Sequence, residues 1–145
     1  MKTIQRVRIK QVRDGRIRFA VEQIAKPEDV YEAVRRYYRG EDREILSALY
    51  LDARNCPVCF HVASVGSLNT TRTPPADILK PAILSNAPSL ILIHNHPSGQ
   101  LEPSRDDLTF TRTVRRACEL LAIKLHDHLV ISDDGFVSMR SRGLL

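Results

Sequence analysis

The chain has 145 residues, 43% apolar and 27% charged, a balance that sets one folded domain and excludes both a disordered segment and a pair of large domains. Its formal net charge is +5, yet residues 1–18 hold seven cations (Lys2, Arg6, Arg8, Lys10, Arg13, Arg16, Arg18) against one anion, Asp14, so the remainder is close to neutral and a uniformly basic surface is excluded. No apolar run approaches the roughly 18 residues of a membrane span, the N-terminus has no apolar signal-peptide core, and the three cysteines are too few for a disulfide scaffold, which together point to a cytoplasmic protein with no membrane association.

In chain order, Arg6, Arg8 and Lys10 alternate with Val7 and Ile9, and Arg16 and Arg18 with Ile17 and Phe19, on either side of Asp14-Gly15. This spacing predicts a β-hairpin with one basic and one apolar face. Pro27, Glu28 and Asp29 open a helix whose apolar positions Val30, Ala33, Val34 and Tyr37 recur at i, i+3, i+4 and i+7, and Arg35, Arg36, Arg39 and Gly40 close it. The apolar run Ile45 to Leu51, with Glu44 at its entrance and Asn55 and Pro57 at its end, predicts a largely buried strand; Val58 to Ala63 predicts a second. Gly66 to Thr73 reads as a polar loop, and Pro75 to Ala87 as a helix that Pro81 kinks or restarts. Leu90 to Ile93 predicts a short strand that delivers His94 at its C-terminal end, followed by a loop from Asn95 to Pro103. Ser104 then caps a helix with Asp107 three residues on and an apolar stripe of Phe110, Val114, Ala117, Cys118 and Leu121. Strands around Leu125 to Ile131 and Phe136 to Met139, joined by Asp133-Asp134-Gly135, end the chain. Strands interleaved with three helices predict an α/β domain with helices on both faces of a mixed sheet. One domain over 1–145 is expected, with a basic hairpin and helix (1–40) packed on a metal-binding core (41–145).

His94-Asn95-His96 sits where a buried strand leaves the sheet, and Asp107 follows in the first turn of the next helix. Two imidazoles and a carboxylate are the ligand set of a catalytic zinc site, here one ion per chain, whose fourth position is kept for water with its pKa lowered to about 7. Glu44, at the mouth of a central strand, is the carboxylate placed to shuttle the proton. Taken singly, these residues have plainer readings: the histidines as turn residues in a Pro-Gly loop, Ser104 and Asp107 as a capping box. The joint pattern of His-x-His-Pro, six residues, Ser, two residues and Asp arises by chance on the order of once in 100,000 chains of this length, which disfavours coincidence.

The segment His94-Asn95-His96-Pro97-Ser98-Gly99 through Pro103-Ser104-Arg105-Asp106-Asp107 resembles the JAMM motif of JAB/MPN metalloproteins, in particular their RadC-like branch. Asp42-Arg43-Glu44, Leu51-Asp52, Gly66-Ser67-Leu68-Asn69, Asp127-His128, Ser138 and Gly143 fall where that branch has similar residues, so the resemblance runs over roughly residues 27 to 145. It implies a three-layer α/β/α, cytidine-deaminase-like fold with His94, His96 and Asp107 as zinc ligands, Glu44 as general acid/base and Ser104 positioning the water or the oxyanion. It also implies a zinc peptidase or isopeptidase with a peptide or protein substrate, in a branch that carries a DNA-repair name. Two features depart from the branch: the helical region that precedes this domain in longer RadC proteins has no counterpart in these residues, and Pro75-Ala76-Asp77 stands where Pro-Arg-Glu is usual.

Rival signals are weaker. His126-Asp127-His128 places two imidazoles on one face of an extended segment without a further ligand nearby, which suits a structural or hydrogen-bonding role. Cys56-Pro57-Val58-Cys59 has knuckle spacing but no second pair, and zinc deaminases need a His-x-Glu that the chain lacks. The expected function is a zinc-dependent metallohydrolase; the alternative is a nucleic-acid-associated protein whose basic N-terminal hairpin grips phosphates and whose metal is structural or serves phosphodiester hydrolysis.

Overall fold

A computed structural model describes residues 1–66 and 73–145. The Ser67-Leu68-Asn69 part of the family resemblance, and most of the Gly66 to Thr73 loop, lie outside the described residues. In order along the chain are α1 (Pro27–Tyr38), β1 (Ile45–Leu51), β2 (Pro57–Val65), α2 (Pro75–Leu84), β3 (Ser89–Asn95), α3 (Arg105–Leu120), β4 (Lys124–Ser132) and β5 (Gly135–Ser138). The five strands form one sheet in the order β2-β1-β3-β4-β5. β3 and β4 run parallel and the other neighbours antiparallel, so the sheet is mixed as predicted.

β1 and β3 are buried at every position, which is why both lack the polar alternation of a half-exposed strand. On one face, α1 places Val30, Ala33 and Val34 against Leu49, Ile93 and Leu129. On the other, α2 and α3 bring Ile78, Phe110 and Val114 onto Leu46, Leu92 and Leu125. This is the predicted α/β/α layering, and each fully buried Leu or Phe in it contributes about 1.5–3 kcal/mol by leaving water. The parallel β3–α3–β4 unit sets the geometry of the site, because His94 lies one residue before the end of β3 and Asp107 in the first turn of α3. No helix among the described residues is long and apolar enough to cross a membrane.

Three expectations are corrected. The basic hairpin does not form: residues 1–18 carry no strand, and Val7 and Ile9 stand exposed. A two-stranded hairpin is marginal in water without a surface for its apolar face, and packing on the core begins only at Phe19 and Val21. α2 continues through Pro81 rather than restarting there, since only one backbone donor is lost and Ile78, Leu79 and Ala82 hold the helix to the sheet. His126 and His128 do not share a face. A register shift pairs Leu90 with Leu125 but Ile91 with Asp127, leaving His126 as the extra residue of a bulge. His126 and Asp127 line a cavity with Lys26, Val30 and Ile91 on the α1 side, whereas His128 is buried against His94.

Candidate metal centre

His94 is the last fully buried side chain of β3 on the α3 face, opposite Leu46 of β1 and Val130 of β4. His96 follows in a tight turn: Gly99 N–H donates to the His96 carbonyl (2.9 Å), and a φ of +82° at Gly99, which a residue with a Cβ rarely adopts, lets the chain fold back. The returning Gln100 carbonyl then accepts a hydrogen bond from His96 Nδ1 at 2.6 Å. Asp107 is set by the predicted capping box, in which Asp107 N–H donates to Ser104 Oγ (3.0 Å) and Ser104 N–H donates to Asp107 Oδ2 (2.7 Å). A carboxylate in the first turn is also favoured by the helix dipole.

These three elements bring one ligand atom each from His94, His96 and Asp107 to within 4.8 Å of one another. The two imidazole Nε2 atoms face each other at 2.9 Å, and each lies 3.3 Å from an Asp107 carboxylate oxygen. His94 is fully buried and His96 is 12% exposed, so the group opens to solvent on the His96 side. With Nδ1 of His96 committed to the Gln100 carbonyl, its Nε2 is the atom left for a metal. Two nitrogens and a carboxylate converging at such short range repel unless a cation lies among them. The donor set and its open side therefore fit a metal with a position left for water or substrate.

In the metal-free protein a proton takes part of that role. The hydrogen bond to Asp107 raises the His96 pKa above its ordinary 6.5; burial opposes this, while the Gln100 carbonyl and the charges of Asp107 and Glu44 add to it. For Asp107, burial pushes upward, but its contacts with His94 and His96 and the hydrogen bond from the Ser104 N–H outweigh it and hold the carboxyl well below the usual carboxylate range. His128, buried against His94, is driven well below 6.5, first by desolvation and then by the neighbouring histidine, and is neutral.

Glu44 immediately precedes β1, half-buried and close enough for its charge to act on His96. Its backbone is clamped. Asn95 Oδ1 accepts from Ile45 N–H (2.6 Å) and Asn95 Nδ2 donates to the Arg43 carbonyl (2.9 Å), while Gly66 N–H donates to the Glu44 carbonyl (2.7 Å). Asn95, lying between the two histidines in sequence, thus ties the Glu44 segment to the strand that carries His94. Its clamping role was not legible in sequence, since its partners are backbone groups about 50 residues away. Thr111 was also missed: it is one turn beyond Asp107, and only the fold sets its hydroxyl against His128.

The family described as the RadC-like JAB domain matches residues 24–144. The chain is 38% identical over 136 residues to a UPF0758 protein of Aquifex aeolicus, covering 94% of the chain and 57% of that protein. It is 40% identical over 119 residues to a UPF0758 protein of Desulforamulus reducens (82% and 52% covered) and 36% identical over 135 residues to one of Geobacter sulfurreducens (93% and 59%). The chain therefore spans somewhat more than half the length of these relatives.

Proposed function

Since the chain belongs to the RadC-like JAB domain family, we propose that it is a zinc-dependent hydrolase of amide bonds, acting on a peptide or isopeptide in the cytoplasm. The observation that carries this reading is the convergence of His94, His96 and Asp107 in a group open to solvent beside Glu44. These three residues would hold one zinc per chain. Zinc bound there would supply a water activated near neutral pH and polarise the scissile carbonyl.

The chain's own residues carry the proton and the charge. Glu44 accepts a proton from the attacking water and returns it to the leaving nitrogen, which would otherwise depart as an unstable amide anion. Ser104 Oγ accepts from Asp107 N–H and so keeps its own hydroxyl proton to donate to the oxyanion of the tetrahedral intermediate. Incubating the zinc-loaded protein with mixed peptide and isopeptide-linked substrates should give cleavage that stops on chelation and returns with zinc. Fully loaded protein that leaves every amide intact while cleaving a phosphodiester would replace this reading.

Zinc uptake should displace the proton that His96 holds. Because the imidazole pKa is raised above 6.5, the proton-dependent contribution to the metal-free fold is present below that value and lost as pH rises through the raised pKa. Apparent zinc affinity should climb over that same window, by up to about tenfold per pH unit for one released proton, and then flatten. Calorimetry at pH 6, below the ordinary imidazole value, in two buffers of different ionisation enthalpy measures the release; identical heats would contradict it.

A second reading is favoured by one observation: all seven cations of residues 1–18 are exposed, and none forms an ion pair among the described residues. We propose that this segment gives weak nucleic-acid contact through phosphates, without sequence preference. Fluorescence anisotropy should show binding to an oligonucleotide only below physiological salt. That binding should disappear at about 150 mM, where the Debye length is about 8 Å, and on changing Arg6, Arg8, Arg16 and Arg18 to Ser. Tight, sequence-selective binding at that salt would make nucleic acid the primary partner.

A further inference from the structure

Behind His94 lies a chain of polar side chains that the proposed reaction does not use. His94 Nδ1 is 2.7 Å from His128 Nε2, His128 Nδ1 is 2.6 Å from Thr111 Oγ1, and Thr111 Oγ1 is 2.6 Å from the backbone carbonyl of Asp107. His94 and His128 are fully buried and Thr111 is nearly so, so no water competes for these contacts. The relay starts on one candidate ligand and ends on the main chain of another.

Two directions of donation satisfy the imidazole–imidazole contact. In one, His94 Nδ1–H donates to His128 Nε2, and His128 Nδ1–H donates to Thr111. In the other, Thr111 donates to His128 Nδ1, and His128 Nε2–H donates to His94 Nδ1, which forces the remaining proton of a neutral His94 onto Nε2, pointing at His96 and Asp107. The Asp107 carbonyl separates them. It can only accept, and at 2.6 Å from Thr111 Oγ1 it demands the single hydroxyl proton, because two facing oxygen lone pairs at that distance repel. With that proton spent, Thr111 can only accept from His128, and each donor in the chain is set in turn.

We propose that Thr111 and His128 are positioning residues that hold His94 in the tautomer protonated on Nδ1, so that its Nε2 lone pair is presented to the metal. The inference deepens the reading of this site as a metal centre. His96 reaches the same tautomer through the Gln100 carbonyl, so both imidazoles are oriented by backbone carbonyls, one directly and one through two side chains. Groups that fix a ligand's orientation in this way typically change metal affinity by about 10–100-fold when removed.

The test uses the whole chain with two independent readouts. Long-range ¹⁵N–¹H spectra of the metal-free wild type report which nitrogen of His94 carries the proton; zinc affinity follows from competition with a chromophoric chelator. Nδ1 protonation of His94 is expected. Thr111→Val should weaken zinc binding by about 10–100-fold, and Thr111→Ser, which keeps the hydroxyl, should stay within about threefold of wild type. A dominant Nε2–H tautomer of His94 in the wild type, or a folded Thr111→Val variant that binds zinc as tightly as wild type, overturns the proposal. Should Thr111→Val fail to fold, the wild-type tautomer decides. Wild-type protein that takes up no zinc ends the metal reading, while the tautomer still decides this inference.

Discussion

Glu44→Gln should retain one zinc per chain and the wild-type unfolding midpoint while turnover of a peptide or isopeptide substrate falls by about 10²–10⁴-fold, the usual contribution of a positioned general base. The amide keeps the size of the carboxylate and cannot accept a proton from the attacking water. The backbone on either side of Glu44 is held by Asn95 and Gly66 irrespective of the side chain, so the substitution leaves the clamp in place. Glu44 is not among the three converging candidate ligands, hence metal content should not move. One accompanying change is expected: without the Glu44 charge the His96 pKa should fall, because that charge is one of the causes that raise it. Steady-state rates together with metal analysis check both parts. Wild-type turnover in the zinc-loaded variant would remove Glu44 from the mechanism.

His96→Ala should lower zinc from about one ion per chain to a small fraction, and the stabilisation that zinc confers should vanish with it. An open site with three protein ligands has no spare donor. At zinc concentrations 1,000 times the dissociation constant, binding to the native state alone is worth about 4 kcal/mol, or on the order of 10 °C in Tm for a domain of this size. His96 is the cleaner probe because it sits at the solvent edge. His94→Ala would also open a cavity in the interior and strip the buried His128 Nε2 of its partner, so part of its cost would come from an unsatisfied polar group. Thermal melts with and without zinc separate the two effects: His96→Ala should melt near the metal-free wild type and show no zinc-dependent rise. Full zinc retention by the His94→Ala, His96→Ala double variant would end the assignment.

The sequence by itself determined the element order from Pro27 onward and the His94, His96 and Asp107 group that could hold a metal. Ile45–Leu51 is legible as a buried strand because both its faces are covered, which removes polar residues altogether. Asp107 is legible because a capping box is a local device, complete within four residues of chain. His94 and His96 are two positions apart and tied to Asp107 by a short loop, so their spacing survives in sequence almost unchanged. What failed to read correctly depended on partners elsewhere. Alternation in residues 6–19 describes a strand that needs a surface, and periodicity alone cannot say whether the core offers one. The facing of His126 and His128 turned on a single bulged residue, which reverses the parity on which a period-two reading rests. The clamp of Asn95 on the Glu44 segment and the Thr111–His128–His94 relay join elements 17 to 52 residues apart. Only the tertiary structure decided these, because hydrogen bonds of 2.6–2.9 Å require atomic placement, whereas the hydrophobic pattern that specifies the fold constrains merely which face of each element turns inward.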